Sequence, residues 1–559
     1  MIKENSVTAV NIIALGGVRE IGKNFYVVEI GESIFILDTG VKYPESEQLG
    51  VDVVIPNLDY LIENKKRVQG IFLTHGHADA IGALPYVLQH IKVPVFGSEL
   101  TIELAKLFVK NANLFKRFED YHVVNAETEI EFGDSTVSFF KTTHSIPESL
   151  GIVLSTPKGN IVYTGDFKFD QAASPLYQTD FARLAEIGRE GVLALLADSA
   201  NAESKVQIAS ESEVGAEINR VISNWEGRII VAAVASNLSR IQQVFDAAAN
   251  NGRRVVLTGY DVENIIRTGI RLKKLSLADE RLIIKVADMA NYEDHELIIL
   301  ENGRMGEPIN SLSKMAQGRH RYVNIKDGDL VYIVTTPSVA KEAMVARVAN
   351  LIYKAGGSVK SIAKHMRVSG HANARDLQLL INLLKPTYLF PVQGEYRELA
   401  AHADLAMDIG HLPEHIYIMK KGNRMVLGEE GFLHEGSVPS GDVMIDGNAM
   451  GDLGSVVLRD RQILSEEGIF IVAMTINKRQ KKIISKAKFH TRGFVYVKKN
   501  KDILYDSAEL VNQTVETYLS QPDFDWSELK NLVRDKLSKY LYDQTKRRPS
   551  ILPVIMEVR

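Results

Sequence analysis

Two histidines one residue apart and an aspartate two further on, His75-Gly76-His77-Ala78-Asp79, form the sharpest chemical signal in the chain. In an extended segment alternate residues share a face, so both imidazoles can reach one ion. Zinc and manganese accept imidazole nitrogen, with carboxylate completing the shell. His144 and Asp166 each stand just past an apolar run, where a third imidazole and a carboxylate would be needed. Alone, the His-x-His pair also fits two surface histidines in a glycine-containing turn. Four donors from three run ends fit a metal site better. The chain has no cysteine, which excludes disulfides, thiolate zinc sites, iron–sulfur clusters and cysteine nucleophiles.

The elements that must position these residues read as an α/β layering. Short apolar runs at Gly70–Thr74, Val137–Lys141, Asn160–Thr164, Val192–Ala197 and, much later, Tyr388–Val392 each end in a polar cluster. Runs of this kind fit strands buried on both faces, with ligands gathered at one sheet edge. From about 206 to 365, amphipathic helices (Glu211 to Trp225, Ser239 to Asn251) alternate with strands at Arg228–Ala233, Arg254–Leu257 and Asp329–Thr335. The late fifth strand makes this middle unit an insertion that splits the first domain. The expected division is 1–205 and 366–430 for the split domain, 206–365 for the insertion, 431–452 for a linker and 453–559 for a small C-terminal domain.

At 559 residues, 45% hydrophobic and 24% charged, the chain has the composition of a folded soluble protein of roughly three or four domains. Its longest apolar stretch, near Gly468–Ile476, falls short of the roughly 18 residues a membrane span needs. The first residues lack a signal-peptide pattern. A cytoplasmic protein without membrane association is expected. The net charge of −4 means that nucleic-acid binding would need local basic surfaces. One candidate is Lys478 to Lys501, with ten Lys or Arg, no acid, and Phe489, Phe494 and Tyr496 interleaved. It reads as an RNA-binding surface or, preferably, as a solvated strand edge kept soluble by lysines. Gly16-Gly17 and Gly22 make no dinucleotide fingerprint.

The order His-x-His-x-Asp, His, Gly-Asp resembles the metallo-β-lactamase fold. Thr142-Thr143-His144-Ser145-Ile146-Pro147, Thr164-Gly165-Asp166-Phe167-Lys168, Ser369-Gly370-His371, Gly394-Glu395-Tyr396-Arg397 and Lys546-Arg547-Arg548-Pro549 resemble the ribonuclease J family almost from end to end. The resemblance implies a metallo-β-lactamase αββα sandwich split by an α/β β-CASP domain, with a small C-terminal α/β domain. It also implies a 5′-to-3′ exoribonuclease that can cleave internally, acting on single-stranded RNA, preferably 5′-monophosphorylated, in rRNA maturation and mRNA decay.

Carried over residue by residue, the resemblance makes His75, His77, His144 and Asp166 the ligands of a first metal. Asp79, counted with the catalytic residues, serves a second metal that shares Asp166. Asp198 and His371 become a proton-transfer pair. Ser236, Asn237 and Arg240 become an RNA-contacting turn, and Arg367, Val368, Ser369, Gly370 and His371 a pocket for a terminal phosphate.

The sequence departs from the family pattern at two ligands: Ala80 and Gln393 stand where histidines are usual. Loss of two imidazoles should leave one divalent metal per chain, zinc or manganese, with the second weak or absent. Low intrinsic activity follows, similar to the second, catalytically degenerate paralogue of Gram-positive bacteria. The alternative is a catalytically silent subunit that stabilises or regulates an active ribonuclease J paralogue. A homodimer or a heteromeric complex is implied by the resemblance. Asn302 to Glu307 and Thr335 to Ser338 also differ from the family's phrases.

Overall fold

The computed structural model describes residues 9–45, 47–115, 117–205, 209–259, 262–302, 308–335, 342–363, 366, 369–447, 449–450, 454–494 and 501–558. The chain forms two compact units, one of 1–43 with 53–443 and one of 44–52 with 444–559. The assignment of 44–52 to the second unit has no sequence signal.

In the first unit two sheets face each other. One has eight strands, in the order Phe432–Ser437, Asn423–Leu427, Val10–Gly16, Phe25–Ile30, Ser33–Leu37, Val68–Phe72, Val95–Gly97 and Tyr121–Val123. The other has six, in the order Tyr388–Val392, Val192–Asp198, Gly159–Tyr163, Leu150–Thr156, Ser135–Lys141 and Glu129–Phe132. The core between them packs Ile12, Tyr26, Phe35 and Phe72 with Phe139, Ile152, Tyr163 and Phe390. Each such side chain contributes about 1.5–3 kcal/mol relative to exposure. Helices Phe181–Glu190 and Ala374–Leu384 cover the outer face of the six-stranded sheet through Leu184, Ile187, Leu377 and Leu380.

Gly159–Tyr163, Val192–Asp198 and Tyr388–Val392 run parallel. Their C-terminal ends therefore share one edge, and Gly165-Asp166, Asp198 and Gln393 arrive there together. Phe432–Ser437 pairs with Asn423–Leu427, so the segment read as a linker from 431 begins with a strand of the first sheet.

The middle segment forms a wholly parallel six-stranded sheet. Its order is Ile283–Ile284, Arg254–Thr258, Leu297–Glu301, Ile229–Ala232, Leu330–Ile333 and Ser358–Ser361. The helix Glu211–Ser223 starts on a capping box between Ser210 and Glu213, and Leu238–Asn250 starts on the Asn237 side chain. Leu297–Glu301, which the sequence analysis passed over, is wholly buried and holds the centre of this sheet.

The second unit has a three-stranded sheet, Lys482–Arg492, Ile469–Asn477 and Ser550–Glu557, with the helices Lys501–Leu519 and Trp526–Thr545 packed on one face. Among the described residues no helix is long and apolar enough to cross a membrane.

Candidate active site

The strand Val68–Phe72 delivers Thr74 and His75 to the sheet edge. Thr74 donates its hydroxyl to Asp38 Oδ2 and its backbone N–H to Asp38 Oδ1, both at 2.8 Å. Tyr163 donates a third hydrogen bond to Asp38 at 2.8 Å. Since the Thr74 proton is committed, its oxygen accepts from His75 Nδ1 at 2.9 Å. His75 Nε2 is thereby turned inward, where it is buried and has no hydrogen-bond partner. Burial pushes the Asp38 carboxyl up to about 6, with His75 pulling the other way.

His77 and His144 are oriented in the same manner by backbone carbonyls. His77 Nε2 donates to Ser236 O at 3.2 Å, and His144 Nδ1 donates to Gly370 O at 2.8 Å. That leaves His77 Nδ1 and His144 Nε2 facing each other at 3.0 Å. Burial, then the neighbouring His75, lowers both imidazoles, His77 to about 4. Two neutral nitrogens in these tautomers present lone pairs to each other, which repel unless a cation lies between them. Gly370 is required for this approach, because a Cβ there would sit 2.7 Å from the His144 ring.

The carboxylates complete the cluster. His75 Nε2 lies 3.6 Å from Asp79 Oδ1 and 3.8 Å from Asp166 Oδ2. One donor atom from each of His75, His77 and His144 lies within 4.8 Å of the others, as do those of His75, Asp79 and Asp166. Burial opposes a charge on His75, but the close carboxylate of Asp79 and the field of Asp166 lift it to about 9. A negative field strong enough to hold a proton on a buried imidazole also suits a divalent cation. Three convergent imidazole nitrogens with the buried Asp166 and the partly exposed Asp79 fit zinc or manganese.

On the Gln393 side of Asp166 the chemistry changes. Ala80 is fully buried and offers only a methyl group. Gln393, also buried, points its amide nitrogen at Asp166 Oδ2 at 3.4 Å, while its amide oxygen accepts from Gly22 N at 3.2 Å. Asn24 donates to Asp166 Oδ1 at 3.2 Å. Both oxygens of Asp166 thus face amide N–H groups. One donor atom from each of Asp166, Asp198 and His371 also lies within 4.8 Å of the others. Burial, then Asp79, raises the Asp166 carboxyl to about 8.

Asp198, at the end of its strand, accepts from His371 Nδ1 at 2.7 Å. The Asp198 carboxylate is itself held by Ala200 N at 2.9 Å and Phe167 N at 3.4 Å. Burial works against charge on His371, but Asp198 first, then Asp166 and Asp79, hold it up at about 10. His371 Nδ1 is 4.0 Å from Asp166 Oδ2, so the pair belongs to the same cluster as the imidazoles. A cleft of about 340 Å³ is lined by His371, Lys168, Phe169 and Arg375. Another, of about 360 Å³, is lined by His77, Asp79, Ser236, Asn237 and Asn302.

The residues expected to touch RNA divide. Ser236 and Gly370 reach the cluster, but through carbonyls that orient imidazoles. Ser369 accepts the His371 N–H at 3.1 Å. Asn237 spends its side chain capping a helix at Arg240 N. Arg240, 4% exposed, is committed to Gln243 at 2.6 Å and Glu211 at 3.4 Å in a buried network with Lys168. In this conformation it braces the inserted domain and presents no free cation to a ligand. Arg367 and Val368 lie outside the described residues, as do Gly303 to Glu307 and Thr336 to Ser338 of the altered phrases. Sequence reasoning missed Asn24, Asp38 and Thr74 as supports. Thr74, directly before His75, was the one with a local signal.

Family models agree with this architecture. The metallo-beta-lactamase superfamily matches residues 18–199, the ribonuclease J beta-CASP domain 226–352, the Zn-dependent metallo-hydrolase RNA specificity domain 358–419 and the ribonuclease J C-terminal domain 456–558. The fold and site therefore define a metallo-β-lactamase protein with a β-CASP insertion. A protein named Ribonuclease J 2 from Streptococcus pyogenes is 73% identical over 553 residues, 99% of this chain and 100% of that protein. Ribonuclease J2 of Bacillus subtilis is 42% identical over 557 residues, covering 100% of both. A crystal structure of a protein of unknown function from Enterococcus faecalis V583 covers 75% of this chain and 100% of that one, with TM-score 0.53 and 15% identity, a likeness of fold alone. The chain belongs to the ribonuclease J family of RNA-processing, metal-dependent nucleases.

Proposed function

We propose that this chain is a 5′-to-3′ exoribonuclease of weak intrinsic activity, with internal cleavage as a second mode, working in the cytoplasm on 5′-monophosphorylated single-stranded RNA in rRNA maturation and mRNA decay. One observation carries the attenuation: Gln393 holds an amide against Asp166, and the buried Ala80 offers only a methyl group, at the two positions where the family has imidazoles. His75, His77, His144 and Asp166 would hold one zinc or manganese. When bound, that metal supplies Lewis acidity, lowering the pKa of the attacking water and offsetting charge on the phosphate.

The remaining chemistry belongs to the protein. Thr74, Ser236 and Gly370 fix the three imidazole tautomers. Asp198 binds His371 Nδ1–H and keeps the ring charged near neutral pH, which makes Nε2–H a proton donor to the leaving 3′ oxygen. Residues 1–205 with 366–430 act as the metal-bearing domain, 206–365 as the RNA clamp and 453–559 as the C-terminal domain.

A second reading rests on the same two positions, Ala80 and Gln393. Here the chain is a silent subunit that stabilises or regulates an active ribonuclease J paralogue in a heteromeric complex, or forms a homodimer. A 5′-monophosphorylated RNA incubated with enzyme in excess over substrate separates the two. Slow release of mononucleotides that stops on Asp198→Ala supports the nuclease. No product beyond that of the Asp198→Ala variant leaves the subunit.

A further inference from the structure

The basic stretch 478–494 plays no part in the site above, and the structure gives it a definite form. Lys482–Arg492 is an edge strand whose alternate residues Lys482, Ile484, Lys486, Lys488, His490 and Arg492 are exposed. Among the described residues, Lys482, Lys486, Lys488 and Arg492 have no acidic partner. Their strand neighbours run Arg492–Ile469, His490–Ile471 and Lys488–Ala473, then across the parallel pair to Ser550, Leu552 and Val554. The outward face is thus a ladder of cations beside a strip of Ile471, Ala473, Leu552, Val554 and Met556. Leu552 is 49% exposed and Met556 53%. The opposite face is filled by core and helices, which carry acids such as Asp502, Asp506, Glu509 and Glu528.

Charge separates along the chain in the same sense. Residues 444–559 hold 20 Lys or Arg against 15 Asp or Glu, a net of +5 in a chain whose total is −4. Lysines that serve only to block edge pairing need no such one-sided face.

We propose that the outer face of this sheet is a second contact surface for single-stranded RNA, separate from the metal cluster. Alternate residues of a strand stand about 6.8 Å apart, a spacing that Lys488, His490 and Arg492 keep, while two register shifts between Lys482 and Lys488 bend the row of cations. The aliphatic strip receives ribose and base faces without reading sequence. The proposal rests on the reading that the chain handles RNA.

The test compares two 5′-monophosphorylated oligonucleotides, one of about 8 and one of about 40 nucleotides, the longer exceeding any single-site footprint. In the variant Lys482→Gln, Lys486→Gln, Lys488→Gln, Arg492→Gln, affinity for the longer RNA falls about 10–100-fold and the salt slope shrinks by about 2–3, at roughly 0.7 per lost phosphate contact. Affinity for the short RNA is unchanged. In the unaltered protein, photo-crosslinks from 4-thiouridine fall on peptides 469–492 and 550–558. Unchanged long-RNA binding with crosslinks confined to 1–443 overturns the proposal and leaves the nuclease reading intact. Failure of the unaltered protein to bind either RNA overturns both. A variant that loses assembly mass in sedimentation while keeping its RNA affinity makes this face a protein interface, again against the proposal.

Discussion

Gln393 holds its amide nitrogen 3.4 Å from Asp166 Oδ2, on a backbone with φ of +51°. Histidine tolerates this left-handed conformation about as well as any side chain other than glycine and the Asx pair. Gln393→His combined with Ala80→His should therefore raise metal content from one ion toward two and increase turnover of 5′-monophosphorylated RNA by at least about 10-fold. Metal analysis with a single-turnover assay checks both. If the metal count rises and turnover does not, the terminal-phosphate pocket is the defect.

Asp198→Asn keeps the hydrogen bond to His371 but removes the charge that sustains its proton. The pKa of His371 falls from about 10, and turnover near neutral pH drops about 100-fold or more. Metal content stays the same. An imidazole titration by NMR, with and without the substitution, reads the shift directly.

Gly370→Ala drives a methyl group into His144, whose ring lies 2.7 Å from the position of that Cβ. The loop must shift and the carbonyl that orients His144 shifts with it. Metal affinity should weaken about 10–100-fold, as for loss of an orienting partner elsewhere. Competition with a chromogenic chelator measures it.

Removing the metal should also lower thermal stability. A ligand bound only by the folded state stabilises it by about 4 kcal/mol at a thousand times its Kd. Chelator-treated protein should melt several degrees lower and regain its Tm with zinc or manganese. His144→Ala should show no response to either treatment.

His402 gives a pH signature of its own. It is fully buried, hydrogen-bonded to Ser199 Oγ at 2.9 Å, and burial depresses it to about 3. The unfolded chain binds the proton near pH 6.5 and the folded chain does not. Stability therefore declines as pH falls below about 6.5, by up to about 1.4 kcal/mol per unit from this group. Urea midpoints of chelated protein at pH 7.5 and 5 should differ more than those of His402→Gln.

The strand ends that carry the site were legible because each buried run stops at a polar residue. Asp166, Asp198 and Gln393 follow three parallel neighbours, and His75 follows a strand of the facing sheet. The supports were not legible. Asp38 meets Thr74 and Tyr163 only when strands from three regions of the chain converge, and no local pattern announces that. Arg240 has partners that no local pattern announces. A cation at a helix start suggests an anion, and inside the fold Glu211, 29 positions earlier, pairs with it at 3.4 Å. The strand Leu297–Glu301 was visible as an apolar run and was passed over. Segment 44–52 joins the second unit through contacts such as Asp52 N to Ile445 O, which spacing along the chain cannot foretell.

Native mass spectrometry of the protein, dialysed against zinc or manganese and then against buffer, tests the central claim most directly. One ion per chain, abolished by His144→Ala and retained in Gln393→Ala, is the expected result. Two ions per chain that survive dialysis, or one ion unaffected by His144→Ala, would contradict it.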